Sequence, residues 1–181
     1  MRLILLTLTA SAAIGLIAGG TLRDFPSVRL RWWWLAIAGV ALQFLPLSGD
    51  AGTVALLASF VALGVFTVAN VRAPGFVPIL AGLALNALVI AANGGMPVTE
   101  HALIASNQAS TMSDLVRSGG AKHRLADEDT VLLPLGDVIA IGTPIDQAIS
   151  MGDLLVHLGV AWFVIGAMPR RRRAAEASPV P

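Results

Sequence analysis

The sequence predicts an all-α fold: a polytopic membrane helix bundle of five transmembrane helices with one large extracytoplasmic loop. Two observations support this prediction. Hydrophobic residues make up 56% of the 181 residues and charged residues only 13%, and the apolar residues gather in long runs. Runs such as 54–71 and 76–92 are apolar on every side, whereas a helix of an aqueous protein keeps a polar face. The runs are therefore interpreted as membrane spans.

The predicted spans follow the apolar runs in order. They are residues 3–20, 32–47, 51–71, 76–92 and 151–168. Together they form a single bundle, residues 1–169, followed by an Arg-rich tail, residues 170–181, that is expected to be cytoplasmic and disordered. The second run is short for a span, and a tilt or its flank at 28–30 extends it.

Lys and Arg residues are unequally shared between the two predicted sides of the membrane. Eight lie in the 21–31 loop, the 72–75 turn and the C-terminal tail, and the other side holds four: Arg2, Arg117, Lys122 and Arg124. Because cytoplasmic loops are enriched in Lys and Arg, the N-terminus is predicted outside and the C-terminus in the cytoplasm. A cleaved signal peptide is the alternative for residues 1–13, although the apolar run resumes at 14–18.

The 93–150 loop is then extracytoplasmic, and it is too long to be a simple connector. The segment from Asn93 to Pro97 ends the fourth span. Thr99 caps a short amphipathic helix predicted near 100–117. The segment 131–149 is apolar but broken by proline, glycine and aspartate, so it cannot be a regular span. We expect it to form a re-entrant hairpin or a lid on the bundle, shielded from water.

Short motifs occur in this loop in a characteristic order. They are Asn93-Gly94-Gly95-Met96-Pro97, Lys122-His123, Leu135-Gly136-Asp137 and Ile149-Ser150-Met151-Gly152-Asp153. As a set they resemble a family of small bacterial inner-membrane proteins of unassigned function, whose pattern has one more residue before the Met-Pro pair. The resemblance implies a five-helix protein of the bacterial inner membrane with its functional surface in the outer loop. It supplies no reaction.

Polar residues inside the spans predict an outward-facing pocket. Asn86 and His157 each lie six residues from the outer end of their span, which is about 9 Å deep. Asn93 shares a helix face with Asn86, and Asp153 precedes His157 by one helical turn. Ionisable groups at such depth are candidates for function. We predict a pocket walled by the second, fourth and fifth spans and capped by residues 131–149.

The same residues also have a purely structural interpretation. Ser150 and Asp153 fit a capping box at the start of the fifth span. Asn86 suits an ordinary hydrogen bond between helices. Glycine recurs every seven residues along the fifth span, which predicts close packing on that face: Gly152, Gly159 and Gly166.

Charged residues of the loop predict the mouth of the pocket. Lys122, His123 and Arg124, with Arg117, either bind an anionic group such as a phosphate headgroup or are solvated loop charges. An acidic set near His123 suits Ca²⁺ or Mg²⁺, or else forms a solvated turn: Glu100, Asp127, Glu128, Asp129 and Asp137. Three adjacent carboxylates cannot all face one ion, so no metal site is predicted.

Common catalytic motifs are missing from the sequence. It contains no cysteine, no Ser-His-Asp order, no phosphate-binding glycine loop and no paired metal-binding histidines. An enzyme is therefore the minority interpretation, and the sequence leaves any cofactor unknown. We expect a protein that binds or translocates an anionic lipid, a lipid-linked or a small solute. The predicted ligand-binding residues are Asn86, Asn93, Lys122, His123, Arg124, Asp137, Asp153 and His157.

Two alternatives stay open. One is a non-catalytic accessory or scaffold subunit whose outer loop docks a membrane-protein partner or a second copy. The other is a metal-assisted membrane enzyme that uses Asp127, Asp129, Asp137 and His123. Membrane lipids are the expected partners in every case. The four arginines at 170–173 are interpreted as an anchor to anionic lipid, since they are too few to suggest nucleic-acid binding.

Overall fold

The structure, a computed structural model, describes residues 2–21, 29–47, 49–118 and 122–168. The Arg-rich tail and most of the 21–31 loop lie outside these residues. The long helices are α1 (Arg2–Ile17), α2 (Trp33–Leu42), α3 (Gly49–Ala69), α4 (Phe76–Asn93) and α7 (Met151–Ala167). Between α4 and α7 lie the short helices α5 (Glu100–Ala105) and α6 (Met112–Ser118) and the strands β1 (Met96–Val98), β2 (His123–Leu125), β3 (Ile139–Ile141) and β4 (Gln147–Ile149).

The fold is mostly helical, as predicted. Among the described residues, α3 and α4 are long and apolar enough to cross a membrane, with 21 and 18 residues. The helices α1, α2 and α7 are apolar but shorter. The helix α2 ends at Leu42, before the end of the predicted run. Pro46 explains part of this difference, because a proline disfavours helical backbone at the residue before it.

The long helices pack as a row in the order α2, α3, α4, α7, α1. Their ends alternate between the two edges of this row. At one edge the start of α2 meets the end of α3, because the Asn70 amide group bonds both the N–H and the C=O of Arg31 at 2.8 and 2.9 Å. At the other edge Thr53 near the start of α3 donates to the C=O of Gly94, just after α4, at 3.0 Å. Neighbouring helices α2, α3 and α4 are therefore antiparallel.

The helices α4 and α7 make the most extensive contact, and glycines allow it. Gly82 and Gly152 face each other so closely that a methyl group on either would overlap backbone oxygen of the other helix. A methyl group on Gly159 would likewise overlap the C=O of Gly75. Gly166 lies against Pro74. The predicted glycine repeat of the fifth span therefore faces α4, where small residues let two helix backbones approach.

The segment between α4 and α7 forms a small folded unit at the edge where α4 ends. Strands β1 and β2 pair in parallel, with Met96 opposite His123 and Val98 opposite Leu125. Strands β3 and β4 form an antiparallel hairpin. A buried apolar cluster holds the unit together: Val98, Ala102, Leu103 and Ala148. The loop is thus an ordered structure with its own core.

Two local predictions for this loop can be compared with the structure. Thr99 caps α5 by accepting from the N–H of Ala102, as expected. The predicted 100–117 helix is interrupted after Ala105, because Asn107 adopts a left-handed backbone conformation with φ of 58°, which a continuous helix cannot contain. Residues 131–149 form a turn and the β3–β4 hairpin, and β3 packs on α5. Val131 and Leu132 are exposed, so the shielding of this segment is incomplete.

Candidate functional site

A buried polar cluster joins α4 to the first turn of α7. Ser150 and Asp153 form the capping box, since Ser150 Oγ accepts from the Asp153 N–H at 2.9 Å and Asp153 Oδ2 accepts from the Ser150 N–H at 3.2 Å. Asn86 of α4 completes the cluster. Its side-chain N–H donates to Asp153 Oδ1 at 2.8 Å, and its Oδ1 accepts from the Ser150 hydroxyl at 2.9 Å. The predicted capping box and the predicted interhelical hydrogen bond of Asn86 are therefore both present, and they form one network.

Asp137 is brought beside this cluster by the strand β1. The N–H of Asp137 donates to the C=O of Pro97 at 2.8 Å. Gly136 permits that approach, because a side chain there would meet the same C=O at 2.6 Å. Asp137 is only 4% exposed. One oxygen, Oδ2, lies 3.3 Å from Nε2 of His123, and the other, Oδ1, is buried without a hydrogen-bond partner among the described residues.

The surroundings of Asp137 favour its neutral form. Burial raises the pKa of this carboxyl group above its ordinary value, since a desolvated charge is unfavourable. The imidazole of His123 acts in the opposite direction, and the negative charge of Asp153 raises the pKa of Asp137 further. Asp137 and Asp153 are therefore close enough to influence each other.

These residues line a cavity of about 760 Å³ between α1, α7 and the folded loop. Its polar and charged wall is formed by Arg2, Asn107, Gln108, Thr111, His123, Asp137, Asp146, Gln147 and Asp153. Its apolar wall is formed by Val98, Leu103, Leu115, Ile145 and Ala148. A volume of this size suits a small organic molecule, and the lining is more polar than is usual for such sites.

An ion pair ties one side of the cavity to α1. Arg2 donates to Asp146 Oδ2 at 2.8 Å and to the C=O of Pro144 at 3.2 Å. Asn107 donates to the second oxygen of Asp146 at 2.8 Å. These contacts lower the pKa of Asp146, the hydrogen bond from Asn107 more than that from Arg2. Asp146 is consequently an ionised carboxylate whose charge is balanced by that of Arg2.

The structure brings together only part of the predicted ligand-binding set. His123, Asp137 and Asp153 line the cavity, and Asn86 holds Asp153 from α4. The wall predicted from the second span is different, because Gln43 at the end of α2 donates to Ser59 of α3 at 3.0 Å instead. The start of α1 takes that place in the cavity wall.

The remaining predicted residues have other contacts. Asn93 bonds the C=O and N–H of Val131 at 2.9 and 3.0 Å. Arg124 donates to the C=O of Asn93 at 2.8 Å and pairs with Asp127 at 2.6 Å. Lys122 Nζ lies 5.8 Å from the ring centroid of Phe44. These residues fasten the loop to α2 and α4, and the side chain of Arg117 lies outside the described part.

His157 is separate from the cavity lining. Its side chain is partly buried within α7, and its Nδ1 has no hydrogen-bond partner among the described residues. Asp153, one turn earlier, directs both carboxylate oxygens to Asn86 and Ser150. The carboxylate of Asp153 therefore serves the capping network rather than the neighbouring His157.

Several cavity residues were missed by the sequence interpretation: Arg2, Asn107, Gln108, Thr111 and Gln147. They come from three distant parts of the chain and follow no local spacing. One local signal could have indicated the turn at 106–108. Apart from glycine, asparagine is among the residues that most readily adopt a left-handed backbone conformation, so Asn107 is a plausible place for a helix to end. Gln108 uses that turn to accept from the N–H of Ala148 at 3.0 Å.

A metal centre finds no support in the described residues, where no group of three or more His, Asp or Glu side chains is arranged to hold an ion. Asp127, proposed above for a cation, is engaged by Arg124 and by the hydroxyl of Thr130 at 2.8 Å. These hydrogen bonds, Thr130 first, lower the pKa of Asp127. The acidic turn at 127–129 is thus partly accounted for by local contacts.

Fold and site together define a mostly helical protein with membrane-type apolar helices and a polar cavity at one end of the helix row. The chain belongs to the family described as "Family of unknown function (DUF5317)", whose model matches residues 27–165. That range includes α2 to α6 and nearly all of α7. Comparison with curated proteins and with solved structures gave no match.

Proposed function

We propose that the protein is an integral membrane protein of the bacterial inner membrane with five spans, α1 to α4 and α7, and the folded loop outside. The alternation of helix ends supports this topology, because the starts of α1, α3 and α7 and the end of α4 all meet the loop. The excess of Lys and Arg on the other side supports the orientation. The short helices α1, α2 and α7 would span with their flanks included.

We propose further that the protein binds a small solute, or the headgroup of a lipid-linked one, in the 760 Å³ cavity. One observation carries this proposal: a nearly fully buried carboxylate, Asp137, borders a large polar cavity and has one oxygen without a partner in the described structure. Buried polar groups are normally satisfied, so an exception calls for an explanation, and a ligand that completes the hydrogen bonding of Asp137 is the one that this proposal offers. Uptake into the cell would begin with this binding step.

The test is native mass spectrometry of protein purified in gentle detergent, with extraction and identification of bound small molecules. Thr111 lines the cavity from its exposed rim, so Thr111→Trp should fill part of the volume and displace the ligand. Ser113 is exposed on α6 away from this cavity, and Ser113→Trp is the matched control. We expect a stoichiometric small molecule in the wild type and in Ser113→Trp but not in Thr111→Trp.

The same measurement addresses the accessory-subunit alternative. A stoichiometric protein partner, together with no small molecule in any variant, would contradict the binding proposal and favour an accessory role. A bound molecule that stays in Thr111→Trp would place the ligand elsewhere on the protein.

A further inference from the structure

The charges that line the cavity do not balance. Arg2 is compensated by Asp146 at 2.8 Å. The remaining ionisable groups of the lining are His123, Asp137 and Asp153. When both carboxylates are ionised, they leave the site negative whether or not the imidazole is neutral. This charge argues against the anionic ligand expected from the sequence, since like charges in a partly desolvated site repel strongly.

The carboxylates of Asp153 and Asp137 differ in how many of their hydrogen-bond donors the protein supplies. Asp153 accepts from Asn86 and from the Ser150 N–H and lies in the first turn of α7, where the helix dipole favours negative charge. Asp137 has only His123, at 3.3 Å. Its second oxygen has no donor within the described chain. The donors of the described chain therefore leave the Asp137 carboxylate incompletely satisfied.

A ligand that donates hydrogen bonds and carries positive charge would satisfy Asp137 best. Charge-assisted hydrogen bonds are the stronger class, and a buried carboxylate gains most from them. The apolar wall formed by Leu103, Leu115 and Ile145 suits the carbon skeleton of an organic molecule. A bare metal ion would instead need several oxygen ligands.

We propose that the cavity binds a small organic cation, whose ammonium group donates to the carboxylate of Asp137 while its apolar part packs on the opposite wall. This inference rests on the proposed solute-binding function and specifies the class of solute. It places the ammonium group between Asp137 and Asp153, beside His123 and within the part of the cavity not neutralised by the Arg2–Asp146 pair.

The sign of the pH dependence follows from the groups that face this position. As pH falls, Asp137 gains a proton and loses its negative charge. This change weakens binding of a cation. Asp146 remains paired with Arg2, and Asp153 keeps its capping contacts. An anionic ligand would show the opposite trend, so the direction alone distinguishes the two classes without any variant.

The experiment uses three fluorescent probes of similar size on the full chain in nanodiscs: dansylcadaverine, which carries a primary ammonium group, a dansyl amino acid, which carries a carboxylate, and a neutral dansyl amide. We expect dansylcadaverine to bind more tightly than the other two at pH 7.5 and to weaken at pH 5.5. Asp137→Asn should weaken its binding about 30-fold or more, as loss of one partner of a buried charge pair does. Asp129→Asn removes an exposed loop carboxylate outside the cavity lining and should leave binding unchanged.

Two results would overturn the inference in distinguishable ways. Tighter binding of the carboxylate or neutral probe, abolished by Thr111→Trp, would reject the cationic class while retaining a solute-binding cavity. No binding of any of the three probes by folded wild-type protein that also carries no bound small molecule would reject the cavity as a binding site, and the proposed function with it.

Discussion

Asn86 on α4 donates a hydrogen bond to Asp153 on α7 at 2.8 Å, and the same amide accepts from Ser150 at 2.9 Å. One amide thus satisfies both members of the capping box that begins α7. Asn86 is only 5% exposed and Ser150 is fully buried. Because Asp153 also borders the cavity, this contact fixes the cavity wall to the helix row.

Replacing Asn86 should therefore destabilise the protein. Asn86→Leu conserves volume but leaves the Ser150 O–H without an acceptor and one Asp153 oxygen without a donor, which should cost about 1–3 kcal/mol in free energy of unfolding. Reversible unfolding in mixed detergent micelles measures the loss. Thr9→Val is the control, because Thr9 is exposed and bonds only within α1. Equal stability of the two variants would contradict a structural role for the Asn86 network.

The close α4–α7 contact gives a second prediction. Gly82→Ala places a methyl group against the C=O of Gly152 and 2.9 Å from the Val156 side chain, so it should destabilise by about 1–3 kcal/mol. Gly64 has nothing within 4 Å of the position of a new methyl group. Gly64→Ala should consequently be neutral or stabilising, since alanine favours helix. Thermal unfolding of both variants compares the two sites, and a tolerated Gly82→Ala would argue against this helix contact.

The raised pKa of Asp137, caused by its burial, predicts a pH-dependent stability of definite sign. The folded state holds the proton of Asp137 more tightly than the unfolded state, so this group stabilises the fold most at low pH. That contribution declines as pH rises between the ordinary aspartate pKa and the raised value. Asp137→Asn lacks this dependence, and its melting temperature relative to wild type should rise with pH through that window and stay constant above it.

Asp127 should show the opposite pH dependence of stability. Its pKa is lowered, chiefly by the hydrogen bond from Thr130, so its stabilisation is present above the ordinary pKa and is lost as pH falls through the lowered value. Melting temperatures of wild type, Asp137→Asn and Asp127→Asn from pH 3 to 8 test both signs. An Asp137→Asn curve parallel to that of wild type would show that burial does not perturb this carboxyl group.

The proposed topology predicts where reporter fusions are active. A reporter joined after Ala73, in the turn between α3 and α4, should behave as cytoplasmic, and one joined after Asp129 as extracytoplasmic. The excess of Lys and Arg near the first position is the physical reason. Paired alkaline phosphatase and green fluorescent protein fusions give reciprocal readouts. Phosphatase activity at Ala73 with fluorescence at Asp129 would reverse the orientation and place the cavity inside the cell.

Regular elements were predictable because their signals are local. An apolar run long enough for a helix is recognisable without knowing which elements pack against it. Thr99 and Ser150 indicate the starts of α5 and α7, because their side chains cap these helices. The loop strands were not predicted. Each is three residues long, and a strand that short leaves no periodic pattern.

The sequence by itself determined the helical class, the apolar runs, the capping box and the glycine face of α7, because each depends on residues within a few turns of one another. Only the tertiary structure decided which polar residues meet. It joined Asp137 to His123 through the pairing of β1 with β2, brought Arg2 to Asp146 across the whole chain, and left His157 outside the cavity. Such contacts depend on how separate elements pack. Two side chains at the same predicted membrane depth, such as Asn86 and His157, can still point in different directions, and the sequence does not specify those directions.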